Sequence, residues 1–343
     1  MPDERRAISL TGIKPTGDPH LGNYIGAIAP ALELAADGAH ESLYFIADYH
    51  GLISTRDPDE LRRSSRSVAA TWLAAGLDPT RTLFYRQSDV PEIMELTWVF
   101  TCLTAKGLMN RAHAYKAARD RNAEAGQTDL DAGINTGLYM YPVLMAVDIL
   151  IMNADVVPVG RDQIQHVEYA ADLAGTYNHL YGDRGFTFPL PKPVTSADST
   201  SAVLPGTDGR KMSKSYGNDL PLFASTAALK KIVRRIPTDS VPVEDPKDPD
   251  SSVVFQIYSH VAPADEVAAT AERLRAGGMG WGTMKDLLHE AMETRFRPMA
   301  DRYDALMEPG SELDTILDEG GARARERAVD VLTQVRRAVG ISR

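Results

Sequence analysis

Apolar residues come in short blocks over the first half of this chain and at helical spacing over its last third. Ile8 to Ile13 is an apolar run that predicts a strand. The turn Pro15-Thr16-Gly17-Asp18-Pro19 closes it, and a helix is predicted from about Leu21. Leu43 to Asp48 and Thr82 to Gln87 predict a second and third strand. Between them, Asp57-Pro58-Asp59-Glu60 carries a helix start: a capping Asp, Pro in the first helical position and acids in the first turn. Leu61, Ser65, Val68 and Trp72 then recur on one helical face as far as Gly76. Val156 to Val159 returns as a strand, and Asp162 is expected to open another helix. From about Leu220 the pattern is helical, with apolar residues three and four apart in Asp265–Ala276, Met284–Met307 and Glu312–Val339.

Alternating strands and helices with short links predict right-handed crossovers in a parallel sheet, hence a Rossmann-like α/β fold over residues 1–219. A polar, Ala/Arg-rich stretch at 105–136 reads as an insertion between the halves of the sheet, and 220–343 as an all-helical region. The Pro/Asp-rich stretch Val241–Ser252 reads as a solvated connection. Sheets of this kind bind ligands outside the carboxyl ends of their strands. That draws attention to Thr11-Gly12-Ile13-Lys14 and Asp48-Tyr49-His50.

Composition narrows the setting. With 343 residues, one large and one smaller domain are expected, and 43% hydrophobic with 24% charged residues is ordinary for a soluble protein. The single cysteine, Cys102, excludes an internal disulfide and a Cys-based zinc site, which fits a reducing, cytoplasmic setting. Its apolar neighbours predict that it is buried. Met1 to Arg6 is charged, so no export signal is expected. Tyr141 to Met152 is too short to span a bilayer and contains Asp148, so no membrane span is expected. A net charge of −10 argues against non-specific coating of nucleic acid, while leaving room for a local basic patch.

Two segments carry phosphate chemistry. Gly17 and Gly22 let the backbone approach a ligand, and the helix start beyond them offers unpaired amides and His20 to an anion. Taken alone, this reads better as an ordinary strand–turn–helix with a His cap. Lys211-Met212-Ser213-Lys214-Ser215, between Gly209 and Gly217, offers two ammonium groups on a loop, suited to a polyphosphate. No GxGxxG and no GxxxxGK[ST] occurs, so neither a dinucleotide cofactor nor a P-loop is supported.

Two further segments describe a pocket. In Tyr141-Pro142-Val143-Leu144-Met145-Ala146-Val147-Asp148, Tyr141, Met145 and Asp148 share one helix face. A carboxylate on so apolar a helix needs partners. Either an Arg or backbone amide of the core supplies them, or Asp148 accepts a donor-only group such as an indole N–H. In Val157-Pro158-Val159-Gly160-Arg161-Asp162-Gln163, Asp162 and Gln163 stand at a helix start, where they either cap it or bind ribose hydroxyls and an amino group.

Together these segments resemble the class I aminoacyl-tRNA synthetases, and within them the bacterial tryptophanyl-tRNA synthetase family. His20-Leu21-Gly22-Asn23 is similar to the "HIGH" signature, and Lys211 to Ser215 matches "KMSKS" in full. Tyr141 to Leu150 resembles "YPxLMAADIL", and Val157 to His166 resembles "VPVGEDQxQH". The likeness implies a homodimeric tryptophan–tRNA ligase that uses ATP with Mg²⁺, L-tryptophan and tRNA(Trp), without a tightly bound cofactor. It implies a catalytic domain at 1–219, an anticodon-binding domain at 220–343, and dimer or acceptor-end contacts near 105–136. It assigns catalysis to His20, Lys211 and Lys214. ATP falls to Lys14, Pro15, Thr16, Gly22, Asn23, Gly160, Arg161, Asp162, Val203, Met212, Ser213 and Ser215 with the two lysines. Tryptophan falls to Leu10, Gly12, Ala47, His50, Tyr141, Met145, Asp148 and Gln163. The chain departs from the family pattern at Lys14, Tyr49 and Arg161, each expected to alter charge near these sites. The arginines of the last helix, Arg323, Arg325, Arg327, Arg336 and Arg337, are expected on a solvated face or against an RNA backbone.

Overall fold

The computed structural model describes residues 5–160, 163–195 and 204–342. Five parallel strands form one sheet in the order β3-β2-β1-β4-β5: β1 (Ile8–Ile13), β2 (Glu41–Ile46), β3 (Leu83–Arg86), β4 (Val156–Pro158) and β5 (Lys192–Val194). The chain winds outward from β1 to β3, then returns to β4 on the other side. This is the Rossmann-like arrangement expected, and the strand order reverses between β1 and β4. Their carboxyl ends diverge there and leave a crevice. The second strand ends two residues earlier than its apolar run suggested, because Asp48 opens a short helix, α3 below. The short β5 carried no sequence signal of its own.

The connecting helices are α1 (Leu21–Asn23), which continues through a π-turn into α2 (Ala29–Asp37), then α3 (Asp48–Gly51) and α4 (Pro58–Ala74). After β3 come α5 (Glu92–Leu103), α6 (Lys106–Met109), α7 (His113–Glu124) and α8 (Thr136–Ile151), and after β4 comes α9 (Ile164–Tyr181). Asp57 caps α4 as its sequence predicts, accepting from the backbone of Asp59 and Glu60. The later helices are α10 (Thr226–Arg234), α11 (Val253–Ser259), α12 (Ala264–Ala276), α13 (Trp281–Met307) and α14 (Glu312–Val339). The stretch from Val241 to Ser252 is more than a solvated connection. Lys247 is buried in it, its ammonium donating to the carbonyls of Pro242, Val243 and Asp245.

Strand alternation sorts the sheet into two cores. Tyr44, Ile46 and Phe84 face Trp72 and the cluster shared with α10–α13, whereas Leu43, Phe45, Leu83 and Tyr85 face α5, α8 and α9. Helix α14 belongs to both. Leu313 and Leu317 lie in the first core, and Ala324, Ala328, Val331 and Val335 in the second. It crosses the open edge of β3 at Gly320, where an added Cβ would stand 1.7 Å from the Phe84 carbonyl oxygen. Only a glycine allows helix and strand to approach this closely, and the crossing covers an edge otherwise free to pair.

The arginines of α14 therefore do a different job from the one expected. Arg325 pairs with Glu92, Arg327 with Glu41 and Arg336 with Glu95, while Arg323 donates to the Pro79 carbonyl. Four of the five fasten the helix to the sheet region. Cys102 also departs from expectation: it is exposed, one turn beyond Trp98, on the outer face of α5.

Candidate active site

The crevice between β1 and β4 holds a cavity of about 570 Å³. Leu10, Gly12 and Lys14 reach it from β1 and its end, Ala47 and His50 from around α3, Tyr141, Met145 and Asp148 from α8, Gly160 from beyond β4 and Gln163 from just before α9. All eight residues assigned to the amino acid thus line one space, although they span more than 150 positions of sequence. The walls are largely apolar, with Phe45 and Val157 added to those foreseen. The ring of Phe45 lies where a side chain on Gly12 would be, its Cζ 2.4 Å from the site of an added Cβ. Alternation along β2 placed Phe45 on this face but did not show that it reached the cavity.

Asp148 is 1% exposed. Among the described residues its partners are neither an Arg nor a backbone amide. His50 Nε2 lies 3.1 Å from Oδ2, and Gln87 Nε2 lies 2.8 and 2.9 Å from the two oxygens. Burial raises the carboxyl above its ordinary range, and the hydrogen bonds from His50 and Gln87 pull it back. The sequence assigns Gln87 no role beyond the end of a strand. Its one signal is its position immediately after β3, at the carboxyl end of the sheet. Beside the same cavity, the Tyr141 hydroxyl and His166 Nε2 are 2.5 Å apart.

Tyr49, a neighbour of His50, faces elsewhere. It lines a separate cavity between α3, α4 and α14, with Arg62, Arg66 and Asp314. The charge it was expected to alter near the pocket is therefore not there. Lys14 does reach the pocket: its ammonium donates to Ser54 Oγ, and burial lowers its pKa.

The two phosphate segments meet beside this cavity. Lys214 Nζ donates to the Thr16 carbonyl at 2.8 Å. Met212 is buried, its sulfur 3.5 Å from where a Cβ on Gly22 would stand. The Leu21 amide bonds the Leu220 carbonyl, and His20 bridges to Pro221. Asn23 Oδ1 accepts from the His20 backbone, which fixes the start of α1. Burial lowers the His20 pKa; Asp219 raises it and Lys214 lowers it further. The ring is thus biased toward the neutral form, able to donate one N–H without repelling the lysine. Burial also lowers the Lys214 pKa, against Asp18 and Asp219. Lys211 is exposed in a bridge to Pro205, and its carbonyl accepts from Asn218.

Asn218 holds the lysine loop together. It receives the Ser213 amide at 2.8 Å and donates to Asp208 at 2.7 Å. With the Arg210 guanidinium also on Asp208, that carboxyl is lowered to about 2. Ser213 Oγ caps the turn that begins at Lys214, accepting from the Ser215 amide. Pro15 packs near Gly51. Arg161, Asp162 and Val203 lie outside the described residues.

The arrangement joins an apolar slot with one buried acceptor to a turn and a loop that present a histidine and two lysines. It suits an enzyme that holds an aromatic group bearing a hydrogen-bond donor beside a polyphosphate. Among the described residues, no three His, Cys, Asp or Glu side chains are grouped to hold a metal ion, and no helix is long and apolar enough to cross a membrane.

A family model described as tRNA synthetases class I (W and Y) matches residues 2–297. The tryptophan–tRNA ligase of Pseudomonas aeruginosa is 52% identical over 332 residues, covering 97% of this chain and 73% of that protein. The tryptophan–tRNA ligase of Neisseria meningitidis is 50% identical over 332 residues, 97% of each chain. A solved structure of Campylobacter jejuni tryptophanyl-tRNA synthetase, complexed with ADP and tryptophan, matches with a TM-score of 0.87 and 39% identity. It covers 97% of this chain and 99% of its own.

Proposed function

The chain belongs to the class I tRNA synthetases of the tryptophan and tyrosine group, and on that footing we propose that it ligates tryptophan to tRNA(Trp). The observation that carries the choice of amino acid is Asp148, a buried acceptor in an apolar slot. An indole N–H can only donate, and it satisfies such a carboxylate. Tryptophan lies between Gly12, Phe45 and Met145 with its indole N–H on Asp148, and its amino and carboxylate groups reach Tyr141 and Gln163.

ATP lies across the β1 turn, with its phosphates toward His20, Lys211 and Lys214. Magnesium arrives with the nucleotide, ligated by its phosphates and water. The tryptophan carboxylate attacks the α-phosphorus. The bond to the bridging oxygen breaks, leaving tryptophanyl-adenylate and pyrophosphate. A ribose hydroxyl of the terminal adenosine of tRNA then takes the acyl group and releases AMP. No enzyme nucleophile takes part. Rate comes from positioning and from cations facing the charge that develops on phosphorus.

The helices α10–α13 serve the anticodon arm. The cleft lined by Arg111, His113, Lys116 and Arg119 suits an RNA backbone and serves the acceptor end. Tyr115, by contrast, is buried and donates to Asp131. The working unit is a cytoplasmic homodimer. Support for the dimer comes from α5, where Met94, Trp98 and Cys102 stand exposed at successive turns.

The test is ATP–pyrophosphate exchange with tryptophan, tyrosine or phenylalanine, with and without tRNA(Trp). Exchange with tryptophan and its transfer to that tRNA are expected. A folded protein that activates tyrosine instead, or none of the three, would overturn the reading.

A further inference from the structure

Gln87 is fully buried immediately after β3. Its Oε1 accepts the backbone N–H of Tyr49 at 3.0 Å. A main-chain N–H can only donate, so the amide oxygen must face Tyr49 and the amide nitrogen must face Asp148. That nitrogen lies 2.8 and 2.9 Å from the two carboxylate oxygens. The backbone of α3 therefore orients Gln87, and Gln87 orients Asp148. His50, one residue along α3, adds its contact to the same carboxylate. An ionised carboxylate has about four acceptor positions, so room remains on the side that lines the cavity.

We infer that Gln87 is a positioning residue that holds Asp148 as an acceptor toward the cavity, and so enforces selection for a side chain bearing an N–H. The inference rests on the tryptophan reading above. Without Gln87, a buried carboxylate keeps only His50 as a partner. It then turns away or takes up a proton, and a protonated carboxyl meets the indole donor with a donor of its own. Other titratable groups facing Asp148 do not replace the amide. Tyr85, on β3, is near enough to Asp148 for the carboxylate to raise its pKa, and Arg327 of α14 acts on Tyr85 in the opposite sense.

The experiment measures kcat and KM for pyrophosphate exchange with tryptophan and with 3-benzothienyl-alanine, in which sulfur replaces the indole N–H. Wild type, Gln87→Met and Gln87→Glu are compared, with thermal melting as the check on folding. In Gln87→Met, KM for tryptophan should rise about tenfold or more while kcat changes less. The benzothienyl analogue should be nearly unaffected, so the preference for tryptophan collapses. Gln87→Glu has the same shape and still accepts from Tyr49, so it reports even where the methionine variant is unstable. While this carboxyl keeps its proton and Asp148 has lost its own, it donates to Asp148, so preference should survive there and fall as pH rises further and removes that proton. Equal losses for tryptophan and the analogue in a folded variant, at every pH, would overturn the inference. Wild type without tryptophan exchange would instead overturn the function proposed above.

Discussion

The ammonium of Lys214 rests on the backbone carbonyl of Thr16, 198 residues earlier in the chain, at 2.8 Å. With Met212 packed against Gly22, this contact seats the lysine loop on the turn after β1. A phosphate oxygen is a stronger partner for an ammonium than a carbonyl, so a polyphosphate in the turn captures Lys214 without a long movement.

Lys214→Ala should therefore slow tryptophan activation by about 100- to 1,000-fold, the usual loss when one preorganised electrostatic contact is removed. Tryptophan affinity, measured by equilibrium dialysis, should stay close to wild type. Parallel losses in both would rule out a role confined to the phosphates.

The raised Asp148 carboxyl sets a pH dependence. Its acceptor form is the charged one, and burial makes that form harder to reach than for an ordinary carboxylate. Because the folded value lies above the unfolded one, the folded state takes up this proton first. Fold stability from this group therefore declines as pH rises through the window above the ordinary carboxylate value. Tryptophan affinity runs the other way and weakens as pH falls through the same window. Asp148→Asn should flatten that acid limb and lower kcat/KM for tryptophan by about 10- to 100-fold. An unchanged limb in the pH profile would show that another group sets it.

Gly320→Ala tests the crossing of α14 over β3. An added Cβ 1.7 Å from the Phe84 carbonyl cannot be absorbed by a side-chain shift, so helix and strand must separate. A loss of about 3 kcal/mol or more is expected, with a Tm lower by several degrees. Glu326→Ala, at an exposed position of the same helix, should melt close to wild type. Equal melting of Gly320→Ala and wild type would contradict the close approach.

Trp98 is 69% exposed on α5. If a second copy covers this face, Trp98→Arg should leave the monomer fold intact but shift sedimentation from dimer toward monomer. Large aromatic anchors at interfaces commonly contribute about 2 kcal/mol or more. A Trp98→Arg protein that sediments as wild type would place the dimer contact elsewhere.

Four of the five strands, the capped α4 and the helical last third were legible in the sequence because they depend on local periodicity and turn chemistry. The lysine loop and the pocket face of α8 were legible because their chemistry is compact: two ammonium groups in four residues, and three side chains on one helical face. The partners of Asp148 were not. Gln87 and His50 lie 61 and 98 residues from it, and only the parallel sheet brings the ends of their elements together. Nor could the sequence show which way Tyr49 faces, since a single turn of helix carries no readable period. The arginines of α14 looked solvated because their acidic partners are scattered between Glu41 and Glu95. Cys102 looked buried because its neighbours in sequence are apolar, yet burial on a helix is set by the face presented. Local composition decided which elements this chain forms; their packing decided which polar groups face each other, because charge and hydrogen bonds act through space rather than along the chain.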